Sequence, residues 1–71
     1  MKSIKQLLNS YIQLYSSGLL SISECFARLD NTIQKATDNI SNTDDRISQQ
    51  NKLYIYGMAM LTKAIKQNER M

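Results

Sequence analysis

Apolar residues in this 71-residue chain recur at steps of three and four along most of its length, which is the spacing of helices that each bury one face. A first helix is expected from about residue 3 to 17, with Ile4, Leu7, Leu8, Tyr11, Ile12 and Tyr15 in one broad stripe. Gly18 follows Tyr-Ser-Ser and suits a left-handed cap. A second helix is expected over 22–40. Ser21 and Glu24 have the S-x-x-E spacing of a capping box. Ile22, Phe26, Leu29, Ile33, Ala36 and Ile40 then alternate steps of four and three, the rhythm of a narrow coiled-coil seam. Glu24 and Arg28 are spaced for an ion pair on its outer face.

The third helix is expected over 44–69, with Ile47, Gln50, Tyr54, Gly57, Leu61 and Ala64 on its seam. The seven-residue period runs unbroken from Phe26 to Leu61, so one continuous helix is an alternative. The stretch Ser-Asn-Thr-Asp-Asp at 41–45 argues for a break. It has poor helix propensity and good capping chemistry: Asn42 or Thr43 as cap, Asp44 and Asp45 in the first turn. The expected fold is all-α, a single small helical domain over 1–71. Its second and third helices form an antiparallel coiled-coil hairpin, and copies assemble into a homo-oligomeric bundle.

The segment Leu-Tyr-Ile-Tyr-Gly-Met-Ala-Met-Leu, 53–61, carries no charge and is apolar around most of its circumference. Beside the seam runs a second stripe of Ile55, Met58, Thr62 and Ile65. Such a helix needs cover on several sides. Two neighbouring helices supply part of it, and a second copy or a protein partner is expected to supply the rest. That assigns Ile55, Gly57, Met58, Leu61 and Ile65 to an interface. Gly57 costs about 1 kcal/mol relative to Ala in a helix interior, so a close approach there is expected.

Composition excludes several classes. His is absent and Cys25 is the only cysteine, so no disulfide and no zinc or iron–sulfur ligand set forms within one chain. No cofactor is expected. The commonest general base is missing and no Gly-rich phosphate loop exists, so no enzymatic activity is expected. Cys25 reads as a small apolar residue. The longest apolar run is about half of the roughly 20 residues needed to cross a bilayer, and no signal-peptide core is present, so a cytoplasmic chain is expected.

Net charge is +3 and unevenly placed. Residues 24–45 sum to −3, from Arg28 and Lys35 against Glu24, Asp30, Asp38, Asp44 and Asp45. Residues 46–71 sum to +4, from Arg46, Lys52, Lys63, Lys66 and Arg70 against Glu69. One face of the third helix reads Gln49, Lys52, Tyr56, Ala59, Lys63, Lys66, Arg70, a basic stripe with one aromatic of the kind that meets phosphates and bases. A helix-turn-helix over 21–40 would carry Lys35 as the lone cation of its second helix, with Asp30 and Asp38 flanking, which argues against a DNA reader.

A small, His-free, helical chain rich in Ile, Asn, Lys and Ser resembles early proteins of phages and mobile elements. The run Tyr-Gly-Met-Ala-Met-Leu-Thr-Lys-Ala-Ile-Lys-Gln, 56–67, is similar to the final helix of the helical sponge proteins with which phages sequester cyclic oligonucleotide signals of bacterial immunity. Gly57, Met58, Met60, Leu61, Lys63, Ala64 and Ile65 carry the likeness, with Arg46 upstream near a basic position of that family. The resemblance implies an oligomer that binds a cyclic nucleotide between subunits. Tyr54 or Tyr56 would stack on a base, and Arg46, Lys52 and Lys63 would meet phosphates. The function expected from these features is a phage-type inhibitor that sequesters a ligand. The alternative is a protein inhibitor or scaffold that acts through the apolar face of the third helix.

Overall fold

The computed structural model describes residues 3–69. Lys2 and Arg70, the latter the expected end of the basic stripe, lie outside them. Among the described residues the chain is all-helical: α1 spans Ile4–Ser16, α2 Ile22–Thr37 and α3 Thr43–Glu69. They pack pairwise into a body of 44 × 21 × 19 Å.

Each boundary has a local cause. Ser3 caps α1 in a reciprocal box with Gln6, its hydroxyl accepting from the Gln6 N–H at 3.2 Å and its own N–H donating to Gln6 Oε1 at 2.8 Å. Ser21 and Glu24 repeat the arrangement at α2, both bonds at 3.1 Å. The Ser21 backbone N–H, then the Ser21 hydroxyl bond, and least the charge of Arg28 hold the Glu24 carboxyl below its ordinary value. The expected Glu24–Arg28 pairing is therefore secondary to the cap. α1 ends in a Schellman turn: Gly18, at φ +82°, donates to the Tyr15 carbonyl and Leu19 to that of Leu14. α2 ends at Thr37, three residues before the expected limit, and Asn42 caps α3 by accepting from the Asp45 N–H at 3.0 Å. The chain thus breaks between 37 and 43, and the continuous-helix alternative is not what forms.

The core is Leu8 and Ile12 from α1, Leu20 from the turn, Cys25, Leu29 and Ile33 from α2, and Leu61 and Ala64 from α3. On α3 the expected seam residues Gly57, Leu61 and Ala64 are buried, Gln50 and Tyr54 are half-buried, and Ile47 is exposed. On α2 the buried stripe departs from expectation. Cys25, Leu29, Ile33 and Thr37 face inward, while Ile22 and Phe26 are exposed. The seam expected from the sequence faces one partner helix. Here α2 meets two, and docking of α1 rotates the buried stripe toward it: the Cys25 thiol donates to the Tyr11 carbonyl at 3.5 Å, and Thr32 Oγ1 to the Tyr11 hydroxyl at 3.3 Å.

Gly57 sits where all three helices meet. A Cβ built there would lie 3.8 Å from Leu29 Cδ1 and 3.9 Å from Leu8 Cδ1, ordinary van der Waals distances. The close approach expected at Gly57 comes from these leucines of the same chain. An Ala methyl fits without displacing either, and it removes the propensity cost of about 1 kcal/mol. Gly57→Ala is expected to raise the unfolding midpoint by about 4–8 °C. A thermal scan that shows a fall instead would mean that α1 and α2 pack closer to α3 than described.

Candidate binding surface

The residues expected to bind a ligand do not converge on one site. Tyr54 faces α2, where its hydroxyl donates to Asp30 Oδ1 and accepts from Gln34 Nε2 at 2.9 Å. Burial, and then the bond to Asp30, raises its pKa above that of an ordinary phenol. Tyr56, two residues on, lies about 200° around the helix and faces α1. Its hydroxyl donates to Asn9 Oδ1 at 3.2 Å, and the Lys5 ammonium sits 5.1 Å from the ring centroid. Arg46 is half-buried in the first turn of α3 and is angularly separate from both. Lys52 and Lys63 are exposed and share the Tyr56 side of α3. Lys63 borders a shallow groove of about 250 Å³ between α1 and α3, lined also by Ile12, Gln13, Ser16, Met60 and Gln67.

The fold therefore gathers Lys52, Tyr56 and Lys63 on one flank, adds Lys5 and Asn9, and sends Tyr54 and Arg46 elsewhere. Lys5 and Asn9 were not expected. Nothing within the first helix singles them out, because the partner that does so is 47 residues from Asn9.

The apolar candidates divide differently. Gly57 and Leu61 are enclosed by the chain itself, and Ile65 is half-buried. Ile55 is 71% exposed and Met58 39%, with Phe26 at 45% and Ile22 at 49% on α2. Bonds between the two helices fix how these align. Gln50 Nε2 donates to Thr37 Oγ1 at 2.9 Å and to Gln34 Oε1 at 3.4 Å, and Tyr54 reaches Gln34 and Asp30. Each turn forward along α3 is thus a turn back along α2. One turn further on, this register sets Met58 level with Phe26, and the next sets Thr62 level with Ile22. Ile22, Phe26 and Met58 thus lie exposed along the α2–α3 junction, and Ile55, one residue past Tyr54, stands about 100° further around α3 beside them.

Polar groups in the interior are satisfied. Thr37, the buried polar residue of the core, donates to the Ile33 carbonyl at 2.9 Å and accepts from Gln50. Among the described residues no buried side-chain oxygen or nitrogen lacks a partner, and no cluster of His, Cys, Asp and Glu could hold a metal. Nor is any described helix long and apolar enough to cross a membrane. The protein these features define is a small all-α three-helix chain with an apolar strip on one side and a basic, aromatic flank on another. No family model, curated protein or solved structure matches it.

Proposed function

We propose that this chain is a small non-enzymatic binding protein, an inhibitor or scaffold, whose working surface is the α2–α3 strip and whose target is a protein. The observation that carries this reading is the exposure of Ile22, Phe26 and Met58 along one inter-helix register, with exposed Ile55 beside them on α3. Clustered apolar exposure of this kind marks interaction surfaces. The non-enzymatic reading rests on the absence of His and on Cys25, whose thiol burial makes it less acidic than a free one. The opposed register of the α2–α3 bonds supports reading that pair as an antiparallel hairpin, and homo-oligomer assembly belongs to the same proposal.

A second reading, sequestration of a cyclic nucleotide by a phage-type counter-defence sponge, is favoured by Lys5 over the Tyr56 ring with Lys52 and Lys63 on the same flank. One pair of variants separates the two. If the strip works, Met58→Glu abolishes capture of the protein target from host extract and Lys63→Glu leaves it intact, with little dependence on salt. If the flank works, a cyclic di- or trinucleotide at 100 times its dissociation constant stabilises the chain by about 2.7 kcal/mol. That raises the midpoint by on the order of 10 °C, and Lys63→Glu removes the shift. A nucleotide-dependent shift of that size would replace the first reading with the second.

A further inference from the structure

A groove of about 380 Å³ runs between α1 and α2, at the small end of the range of ligand pockets, roughly 300–1,000 Å³. Ile4, Leu7 and Tyr11 line it from α1. They follow one another at successive turns, so their side chains make a continuous apolar wall about 10 Å long, and all three are half-buried. Asn31, Thr32, Lys35 and Ala36 line it from α2. Thr32 and Ala36 are half-buried and form the floor, while Asn31 and Lys35 are exposed and form the rim. The groove opens away from the α2–α3 strip: Lys35 is nine residues from Phe26, about 180° around α2.

The polar groups of the groove have donors to spare. The Tyr11 hydroxyl accepts from Thr32 Oγ1 at 3.3 Å, which leaves its own proton to donate elsewhere. Lys35 makes no ion pair among the described residues, and Asn31 adds an amide. No carboxylate is among the lining residues. The nearest acid on this side of α2 is Asp38, three residues past Lys35 and outside the groove. α1 begins at Ile4 and α2 ends at Thr37, next to Ala36. A helix N-terminus and a helix C-terminus therefore border the groove together, and their dipoles offset each other. The Lys35 ammonium is left to set the sign of the charge that the groove accepts.

We infer that this groove is a binding site for a small organic anion with an apolar body, of the class of short fatty acids. The hydrocarbon lies along Ile4, Leu7 and the Tyr11 ring. The carboxylate meets the Lys35 ammonium and the Tyr11 hydroxyl proton. A cationic amphiphile finds no acid among the lining residues, and a neutral one leaves the Lys35 charge to water. The site is separate from the α2–α3 strip and does not depend on the protein target proposed for it.

The test uses octanoate as the probe, with octanediol and octylammonium as neutral and cationic counterparts of similar size. Each is titrated into the isotope-labelled full chain from about 0.1 to 20 mM and followed by amide chemical shifts. A ligand of this size in an open groove should bind with a dissociation constant on the order of 1 mM. The octanoate shifts are expected to centre on Leu7, Tyr11, Thr32 and Lys35. Octanediol should bind roughly three- to tenfold more weakly, and octylammonium more weakly still. Lys35→Met keeps the aliphatic stem and removes the charge, so it should abolish the preference for octanoate over octanediol. Tyr11→Phe should lower octanoate affinity roughly two- to fivefold and leave octanediol nearly unchanged. Met58→Glu, on the other side of the molecule, should alter none of these values. Absence of any octanoate shift up to about 20 mM would overturn the inference. So would shifts centred on Phe26, Ile55 and Met58, or octylammonium binding as tightly as octanoate. If Tyr11→Phe unfolds the chain, Lys35→Met decides the matter, because Lys35 is exposed.

Discussion

Leu8→Ala is expected to leave the chain largely unfolded at 25 °C. Leu8 has no exposed surface and is among the largest side chains fully enclosed by the fold. Its Cδ1 is 3.9 Å from the position a Cβ would take on Gly57, which places it at the point where the three helices meet. Leu-to-Ala changes in such sites cost about 2–5 kcal/mol, and a domain of this size has only about 3–5 kcal/mol in total. Urea titration followed by circular dichroism would measure the loss. Leu19→Ala is the control: that residue is 70% exposed, and the change should cost less than about 0.5 kcal/mol. A Leu8→Ala variant that unfolds no earlier than this control would mean that α1 does not dock through Leu8.

The second large effect is expected at Tyr54. Tyr54→Phe removes the hydroxyl that donates to Asp30 and accepts from Gln34, two of the bonds that align α3 with α2. A hydrogen bond to a charged group contributes about 1.5–3 kcal/mol when enclosed. Asp30 and Tyr54 are only half-buried, so water can replace part of what is lost and a cost of about 1–2 kcal/mol is expected. The pH dependence gives a sharper signature. Burial and the bond to Asp30 raise the phenol's pKa in the folded chain. A group whose folded pKa is raised contributes stability that is complete below its unfolded value, about 10 for tyrosine, and is lost as pH rises through the folded value. The wild type should therefore lose this contribution in alkaline solution while the Phe variant has none to lose, so their stabilities converge above about pH 10. A gap between the two that stays constant to about pH 11 would show that the hydroxyl does not make these bonds.

Both effects depend on features that the sequence shows unevenly. Helix boundaries were legible where capping chemistry is local: Ser21 with Glu24, Gly18 after α1, and Asn42 before α3 act within a few residues of themselves. The box of Ser3 with Gln6 has the same three-residue spacing, with Gln in the place of Glu. The inward face of α3 was also legible, because Gly57, Leu61 and Ala64 are small or apolar at the right spacing. The inward face of α2 was not. Leu29 and Ile33 belong both to the expected seam with Ile22 and Phe26 and to the actual stripe with Cys25 and Thr37. Nothing in α2 alone chooses between them; the docking of α1 does. The candidate site was obscured for a related reason. Tyr54 and Tyr56 look alike as polar-tipped aromatics, yet each is committed to a different neighbour, 24 and 47 residues away.

Cys25 has one more consequence. It is the only thiol in the chain, it has no exposed surface, and it bonds back to the Tyr11 carbonyl across the α1–α2 contact. A thiol so placed can be modified only in moments when α1 lifts from α2. Its rate of labelling by an added reagent is therefore a clock for that opening, present in the unaltered molecule and sensitive to one helix pair out of three.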